Sequence, residues 1–240
     1  MRVYIDGSAG ATGLELESRL RRIDNVTLIK PDEELRKDTA TRKKFLNEAD
    51  AVFLCLPDAA AREAAAMVEN PNTVVIDAST AHRTAEGWAY GFPELSEEHE
   101  NAVRASNRIA VPGCHASGFV ALVYPAVRAG LIYPDDVLFC HSLTGYSGGG
   151  KALIAEYEAE GAEPSAAKLY ALGLHHKHLP EMQRVCGLTY PPVFTPVLVN
   201  THRGMVVTVP VIAPAPAVWE YFAEYYQGAA HVKVMPFAEY

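Results

Sequence analysis

Two rhythms of apolar and polar positions alternate along the first third of the chain. Arg2–Asp6 is a short apolar run and predicts a strand; a glycine-rich turn follows, then a helix carried by Leu14, Leu16 and Leu20. Val26–Ile29 predicts a second strand, Lys30–Asp38 a polar surface loop and Thr41–Asn47 a short helix. Ala51–Leu56 is unbroken in its apolar character, the mark of a strand covered on both faces. Pro57-Asp58 opens an alanine-rich helix to Glu69, with Asp58 as its expected N-cap, and Thr73–Ile76 is the next strand. Strands alternating with helices predict an α/β fold, a doubly wound parallel sheet.

The texture changes at about Cys114. A helix over Ser117–Ala129 leads to a strand over Val137–Leu143, a glycine-rich turn and an amphipathic helix over Ala152–Glu160. Longer strands are expected at Pro196–Asn200 and Gly204–Ile212. Pro214-Ala215-Pro216 breaks the second of these ahead of a helix over Val218–Gln227, and His231–Met235 reads as one more strand. This mixture predicts an α+β second domain, with the boundary between residues 113 and 114.

Composition narrows the function classes. The chain is 49% hydrophobic and 21% charged, an ordinary globular balance, and its net charge of -8 gives no support to nucleic-acid binding. No apolar run approaches a membrane span and the first residues carry no signal-peptide pattern. Cys55, Cys114, Cys140 and Cys186 are dispersed, without a CxxC pair, as expected of reduced thiols in a cytoplasmic protein.

Gly7-Ser8-Ala9-Gly10-Ala11-Thr12-Gly13 lies between the first strand and the first helix. Glycines there permit a tight turn and close approach of backbone to a pyrophosphate, which the helix N-terminus favours. The GxxGxxG spacing is a variant of the usual fingerprint, and a purely structural turn is the alternative. NAD-binding folds place an acid at the end of the second strand to hold the ribose 2′-hydroxyl; here Lys30 stands there. That favours NADP, with Lys30 or Arg36 near the 2′-phosphate; the competing reading is a solvated charged loop, since Asp32, Glu33 and Glu34 follow closely.

Val111-Pro112-Gly113-Cys114-His115-Ala116-Ser117-Gly118 delivers a cysteine to the start of a helix. A helix N-terminus lowers a thiol pKa, and its N–H groups can hold an oxyanion. The other cysteines sit in apolar runs and read as inert core. Leu174-His175-His176-Lys177-His178-Leu179-Pro180-Glu181-Met182 places three histidines and a carboxylate just ahead of a helix, where an imidazole can accept the thiol proton and return it. A zinc site or a solvated surface run is the alternative; for zinc, no cysteine is near and the spacing is not that of a zinc-protease helix, and no metal is expected. Gly145-Tyr146-Ser147-Gly148-Gly149-Gly150-Lys151 is a second glycine-rich turn, whose N–H groups around Ser147 and Gly148 can hold phosphate or an amide.

These segments, with Asp77-Ala78-Ser79-Thr80-Ala81-His82-Arg83, Tyr90-Gly91-Phe92-Pro93-Glu94-Leu95 and Arg203-Gly204-Met205, occur in an order that resembles the shorter variety of the N-acetyl-gamma-glutamyl-phosphate reductase family across nearly the whole chain. The resemblance implies a Rossmann-type NADP-binding domain over residues 1–113 and a catalytic and dimerisation domain over 114–240. It implies NADPH-dependent reduction of the acyl phosphate N-acetylglutamyl 5-phosphate to the semialdehyde, in arginine biosynthesis. Cys114 becomes the nucleophile, His178 (ahead of His176) with Glu181 the acid–base group, and Ser79, Arg83 and Arg203 candidates for substrate carboxylate and phosphate. A homodimer or homotetramer is also implied. Family members usually run several dozen residues past the point where this sequence ends, with a final helix packing back onto the nucleotide domain. Related acyl-phosphate reductases acting on aspartyl or aminoadipyl phosphates, and a non-catalytic NADP-binding protein, are the competing readings.

Overall fold

The computed structural model describes residues 1–159 and 166–237; Glu160, the expected end of one helix, lies outside them. Contacts divide the chain into two units. The first comprises Met1–Gly91, Ala102–Gly113 and the segment beginning at Tyr146; the second comprises Phe92–Asn101, Cys114–Gly145 and the chain from Lys168 onward.

Among the described residues the first unit holds six strands: β1 (Arg2–Asp6), β2 (Thr27–Ile29), β3 (Ala51–Leu54), β4 (Val74–Asp77), β5 (Ala89–Tyr90) and β6 (Arg108–Ala110). All pair in parallel, in the order β2-β1-β3-β4-β6-β5. The chain leaves β1 in one direction to make β2 and returns past it to make β3, so the order reverses between β1 and β3. Open α/β sheets bind ligands at such a reversal, beyond the strand C-termini. Val3 and Ile5 face Leu20 on one side of the sheet, and Tyr4, Val52, Leu54 and Val75 pack with Leu46, Ala61 and Ala64 on the other. Burial on both faces explains why these strands read as continuous apolar runs.

Helices α1 (Ala11–Leu20), α2 (Thr39–Glu48) and α3 (Asp58–Met67) connect these strands. Helix α2 begins two residues earlier than the apolar pattern indicates, because the Asp38 carboxylate accepts the Thr41 N–H at 2.7 Å and caps it. The expectation for Asp58 is corrected: Pro57 holds the cap position and Asp58 is the first helical residue. Its carboxylate instead accepts the Thr80 N–H at 3.0 Å and the Thr80 hydroxyl. Strands β5 and β6, and the helix α4 (Glu97–Ala105), have no counterpart in the apolar pattern. Helix α4 is amphipathic but mostly polar, with Glu97, Glu98 and Glu100 in its first turn and Arg104 in its last, an arrangement that complements its dipole.

The second unit is built on α5 (Cys114–Arg128) and a mixed sheet of β7 (Phe139–Gly145), β8 (Lys168–Leu169), β9 (Val193–Val199) and β10 (Met205–Thr208), in the order β10-β7-β9-β8. Strand β10 stops at Thr208, short of the expected Ile212, where Pro210 interrupts the ladder. No strand forms over His231–Met235; the Met235 carbonyl accepts the Trp219 indole N–H at 2.7 Å instead. Its described residues also form α7 (Leu179–Cys186) and α8 (Ala215–Tyr225), while α6 (Gly150–Glu158) packs on α1 in the first unit.

Helix α5 carries Pro125 in its interior. Proline has no N–H, so the Ala121 carbonyl, four residues back, loses its helical donor. The Tyr226 hydroxyl replaces it at 2.7 Å, and the Tyr221 hydroxyl donates to the Pro125 carbonyl at 3.0 Å. Thus α8 docks on α5 through tyrosines that complete its backbone bonding.

Candidate active site

The glycine loop after β1 is shaped by close approach. Gly7 has φ of +90°, and a Cβ there would lie 2.3 Å from the Cys55 carbonyl oxygen. A Cβ on Gly13 would lie 2.5 Å from the Gly7 carbonyl oxygen. Neither position admits a side chain. Gly10 caps α1 with no side-chain bond, so the first-turn N–H groups of Ala11, Thr12 and Gly13 have no intrahelical acceptor. With Ser8 they form a backbone cradle that fits a dinucleotide pyrophosphate.

A groove of about 580 Å³ opens beside this loop, lined by Gly7, Ser8, Leu28, Ile29 and the cations Lys30, Arg36, Lys37 and Arg42. Lys30 pairs with Glu17 of α1 at 2.8 Å, and Arg36 with Glu33 at 2.9 Å. The Lys30 ammonium and then the Arg21 guanidinium hold the Glu17 carboxyl below the usual carboxylate range. Arg42 makes an ion pair with the buried Asp6 at 2.9 Å and anchors the end of β1.

Other expected ligands in the first unit serve visible local roles. Ser79 is buried; its hydroxyl donates to Asp77 at 2.7 Å and accepts the Ala81 N–H at 3.1 Å. His82 bonds the same Asp77 carboxylate at 2.6 Å and stacks on Trp88 at 3.9 Å between centroids. Arg83 donates Nε to the Val111 carbonyl at 2.8 Å and Nη2 to Ala78 at 3.2 Å. Ser147 and Gly148 lie in a 3-10 turn over Tyr146–Gly149, beside Tyr146 stacked on Tyr157 at 4.8 Å.

In the second unit Cys114 is the first residue of α5, and its side chain is exposed. The other thiols are less accessible: burial pushes Cys55 up to about 11, Cys140 up to about 12, and Cys186 higher still. Only Cys114 therefore combines exposure with a helix start.

The imidazoles expected to serve it are gathered, with one more that the sequence pattern did not single out. His115, buried at 3% exposure, lies with its ring centroid 5.5 Å from His176 and 5.6 Å from His178; those two rings are 4.6 Å apart. Phe194 closes this cluster, 5.1 Å from both His115 and His176. His178 caps α7, and its N–H bonds His176 Nδ1 at 3.2 Å. Glu181, in the first turn of α7, is buried at 1% exposure. Burial, with the neighbouring His176, pushes His115 down to about 4; burial and then Lys177 lower His176. Both rings are thus favoured as neutral bases. His115 further bonds Ser142 and Tyr170, each at 2.7 Å. Arg203 lies in the exposed turn between β9 and β10, where its backbone passes against Gly145. Among the described residues no group of three or more His, Cys, Asp or Glu side chains is arranged to hold a metal ion.

A doubly wound nucleotide unit joined to a thiol-bearing mixed-sheet unit is the architecture of the semialdehyde dehydrogenases. The family model described as "Semialdehyde dehydrogenase, NAD binding domain" matches residues 17–102, and "Semialdehyde dehydrogenase, dimerisation domain" matches residues 114–240. The fold is similar to a solved probable aspartate-semialdehyde dehydrogenase from Pseudomonas aeruginosa, with TM-score 0.68, 14% identity and coverage of 96% of this chain and 79% of that one. It is also similar to aspartate semialdehyde dehydrogenase II from Vibrio cholerae, with TM-score 0.62, 19% identity and coverage of 92% and 78%. Within this class the chain belongs to the N-acetyl-gamma-glutamyl-phosphate reductase family. It is 43% identical over 242 residues to the N-acetyl-gamma-glutamyl-phosphate reductase 2 of Pseudomonas putida, covering 98% of this chain and 77% of that protein. It is 44% identical over 210 residues to the reductase of Chelativorans sp., covering 88% and 68%. The family membership accords with the α/β expectation and with an oxidoreductase. No helix among the described residues is long and apolar enough to cross a membrane.

Proposed function

We propose that the protein reduces N-acetylglutamyl 5-phosphate to the 5-semialdehyde with release of phosphate, as a step of arginine biosynthesis in the cytoplasm. The observation that carries this reading is the exposed Cys114 at the start of α5, next in sequence to a buried histidine that belongs to the imidazole cluster.

The Cys114 thiolate attacks the acyl carbon, and the first-turn N–H groups of α5 hold the oxyanion. Collapse expels phosphate and leaves a thioester on Cys114. The cradle Gly7–Gly13 holds NADP(H), with Lys30 or Arg36 at its 2′-phosphate; bound there, the cofactor supplies the hydride. His178, with His176 as the second choice and Glu181 at its back, protonates the thioester oxygen as hydride adds. The same imidazole takes the proton back when the C–S bond breaks and the aldehyde leaves. Ser79, Arg83 and Arg203 are proposed for the substrate's anionic groups, and Ser147 and Gly148 for the cofactor. Ser79 and Arg83 would have to do so in addition to the local bonds described above.

A homodimer or homotetramer fits the second sheet. Its face away from α5 carries Phe139 at 58%, Val206 at 59% and Leu169 at 56% exposure, an apolar surface that a second copy would cover.

The test is a Cys114→Ser variant assayed with N-acetylglutamyl, aspartyl and aminoadipyl phosphates. The wild type should prefer the first, and the variant should lose activity by roughly 1000-fold or more. Substantial remaining activity would reject the covalent route.

A further inference from the structure

One polar chain in the second unit is left over after these roles are assigned. Ser142 points inward from β7 and is fully buried. Its Oγ lies 2.7 Å from His115 Nδ1, and His115 Nε2 lies 2.7 Å from the Tyr170 hydroxyl. Tyr170 is itself fixed beside β9 by its N–H, which donates to the Pro196 carbonyl at 3.2 Å. His115 follows Cys114 directly in α5, and the Tyr170 phenol at the other end of this chain lies within electrostatic reach of Cys114.

We propose that His115 is a positioning residue: pinned by Ser142, its ring holds the Tyr170 hydroxyl so that the phenolic proton is donated to the Cys114 sulfur and stabilises the thiolate. The proposal rests on Cys114 being the nucleophile. A neutral imidazole has one N–H and one lone pair, and either nitrogen can carry the proton. The relay needs the Nε2–H tautomer: Ser142 then donates to Nδ1, Nε2–H donates to the Tyr170 oxygen, and the Tyr170 O–H is left for the sulfur. Two electrostatic facts fit this direction. Burial keeps His115 neutral at physiological pH, its pKa pushed down to about 4. Burial and then the charge on Cys114 push the Tyr170 phenol up to about 12, so it keeps its proton and the two groups feel each other. The other titratable groups near this chain are His176, whose ring packs against both His115 and Tyr170, His178, whose ring packs against His115, and Glu181 of α7. They belong to the acid–base roles already described.

The experiment measures the pH dependence of Cys114 alkylation by iodoacetamide, read on the Cys114 peptide by mass spectrometry, in the full chain without substrate or cofactor. Five proteins are compared: wild type, Tyr170→Phe, His115→Phe, the double variant and His115→Gln. Phenylalanine keeps the ring volume in both sites, so packing alone predicts no change in the midpoint. The proposal expects each single variant to raise the midpoint by about one pH unit, with the double variant no further than either single. His115→Gln, which retains an N–H for the phenol, should recover part of the shift. Midpoints unchanged in both single variants, or shifts that add in the double, would overturn the relay. A wild-type midpoint near that of a free thiol, about 8.5, would instead count against the nucleophile reading itself.

Discussion

The two candidate sites are built by opposite means. The nucleotide cradle in the first unit consists of backbone: glycines where a Cβ would strike a carbonyl, and amides at a bare helix start. The thiol site in the second unit consists of side chains drawn from α5, β7, Tyr170 at the end of β8 and the approach to α7. A backbone site tolerates many side chains but no added Cβ, whereas a side-chain site depends on burial to set protonation. The first should therefore fail by steric occlusion, the second by titration.

The largest effect expected from this contrast is that of Gly7→Val. Positive φ and the Cys55 carbonyl leave no room for it, and NADPH affinity should fall about 100-fold or more, read by cofactor fluorescence. In a variant that stays folded by circular dichroism, Cys114 alkylation should be unaltered. Equal loss at both sites would erase the distinction between them.

Titration comes next. A histidine held neutral by burial takes up a proton on unfolding wherever the pH lies between its folded and unfolded pKa values. Stability from His115 is therefore complete above about 6.5, falls as pH drops through that value, and is gone below about 4. The shift corresponds to up to about 3 kcal/mol, which denaturant unfolding across that range should show as proton uptake. His176 and His99, lowered chiefly by burial, act in the same sense. His115→Phe should flatten the pH slope; an unchanged slope would sharpen attention on His176 and His99.

A smaller effect is expected at the α5–α8 contact. Tyr226→Phe leaves the Ala121 carbonyl without its donor and should cost about 1–2 kcal/mol of stability while sparing both sites.

The same contrast explains what was legible in the sequence. The glycines and the helix start of the cradle lie within Gly7–Gly13, so turn, helix start and ligand class could be read together; the Cys55 carbonyl that crowds Gly7 comes from just past β3 and could not. The place of Cys114 at a helix start was legible because Pro-Gly precedes it and a helix follows. The contacts of His115 were hidden: its partners stand 27 and 55 residues away, and only the inward alternation of β7 hints that Ser142 is buried. Strands β5, β6 and β8 span two or three residues, too few for a period to appear, and exist because a neighbouring strand offers its register. Asp58 was misread because its acceptor atoms serve Thr80, a partner 22 residues distant, rather than its own helix.

The most direct measurement is to mix the protein with N-acetylglutamyl 5-phosphate in the absence of NADPH, following phosphate release and the mass of the Cys114 peptide. A burst near one equivalent, with an acyl adduct on Cys114 that disappears when NADPH is added, is the predicted result. No burst and no adduct, in protein that turns over normally once NADPH is present, would contradict the thioester route.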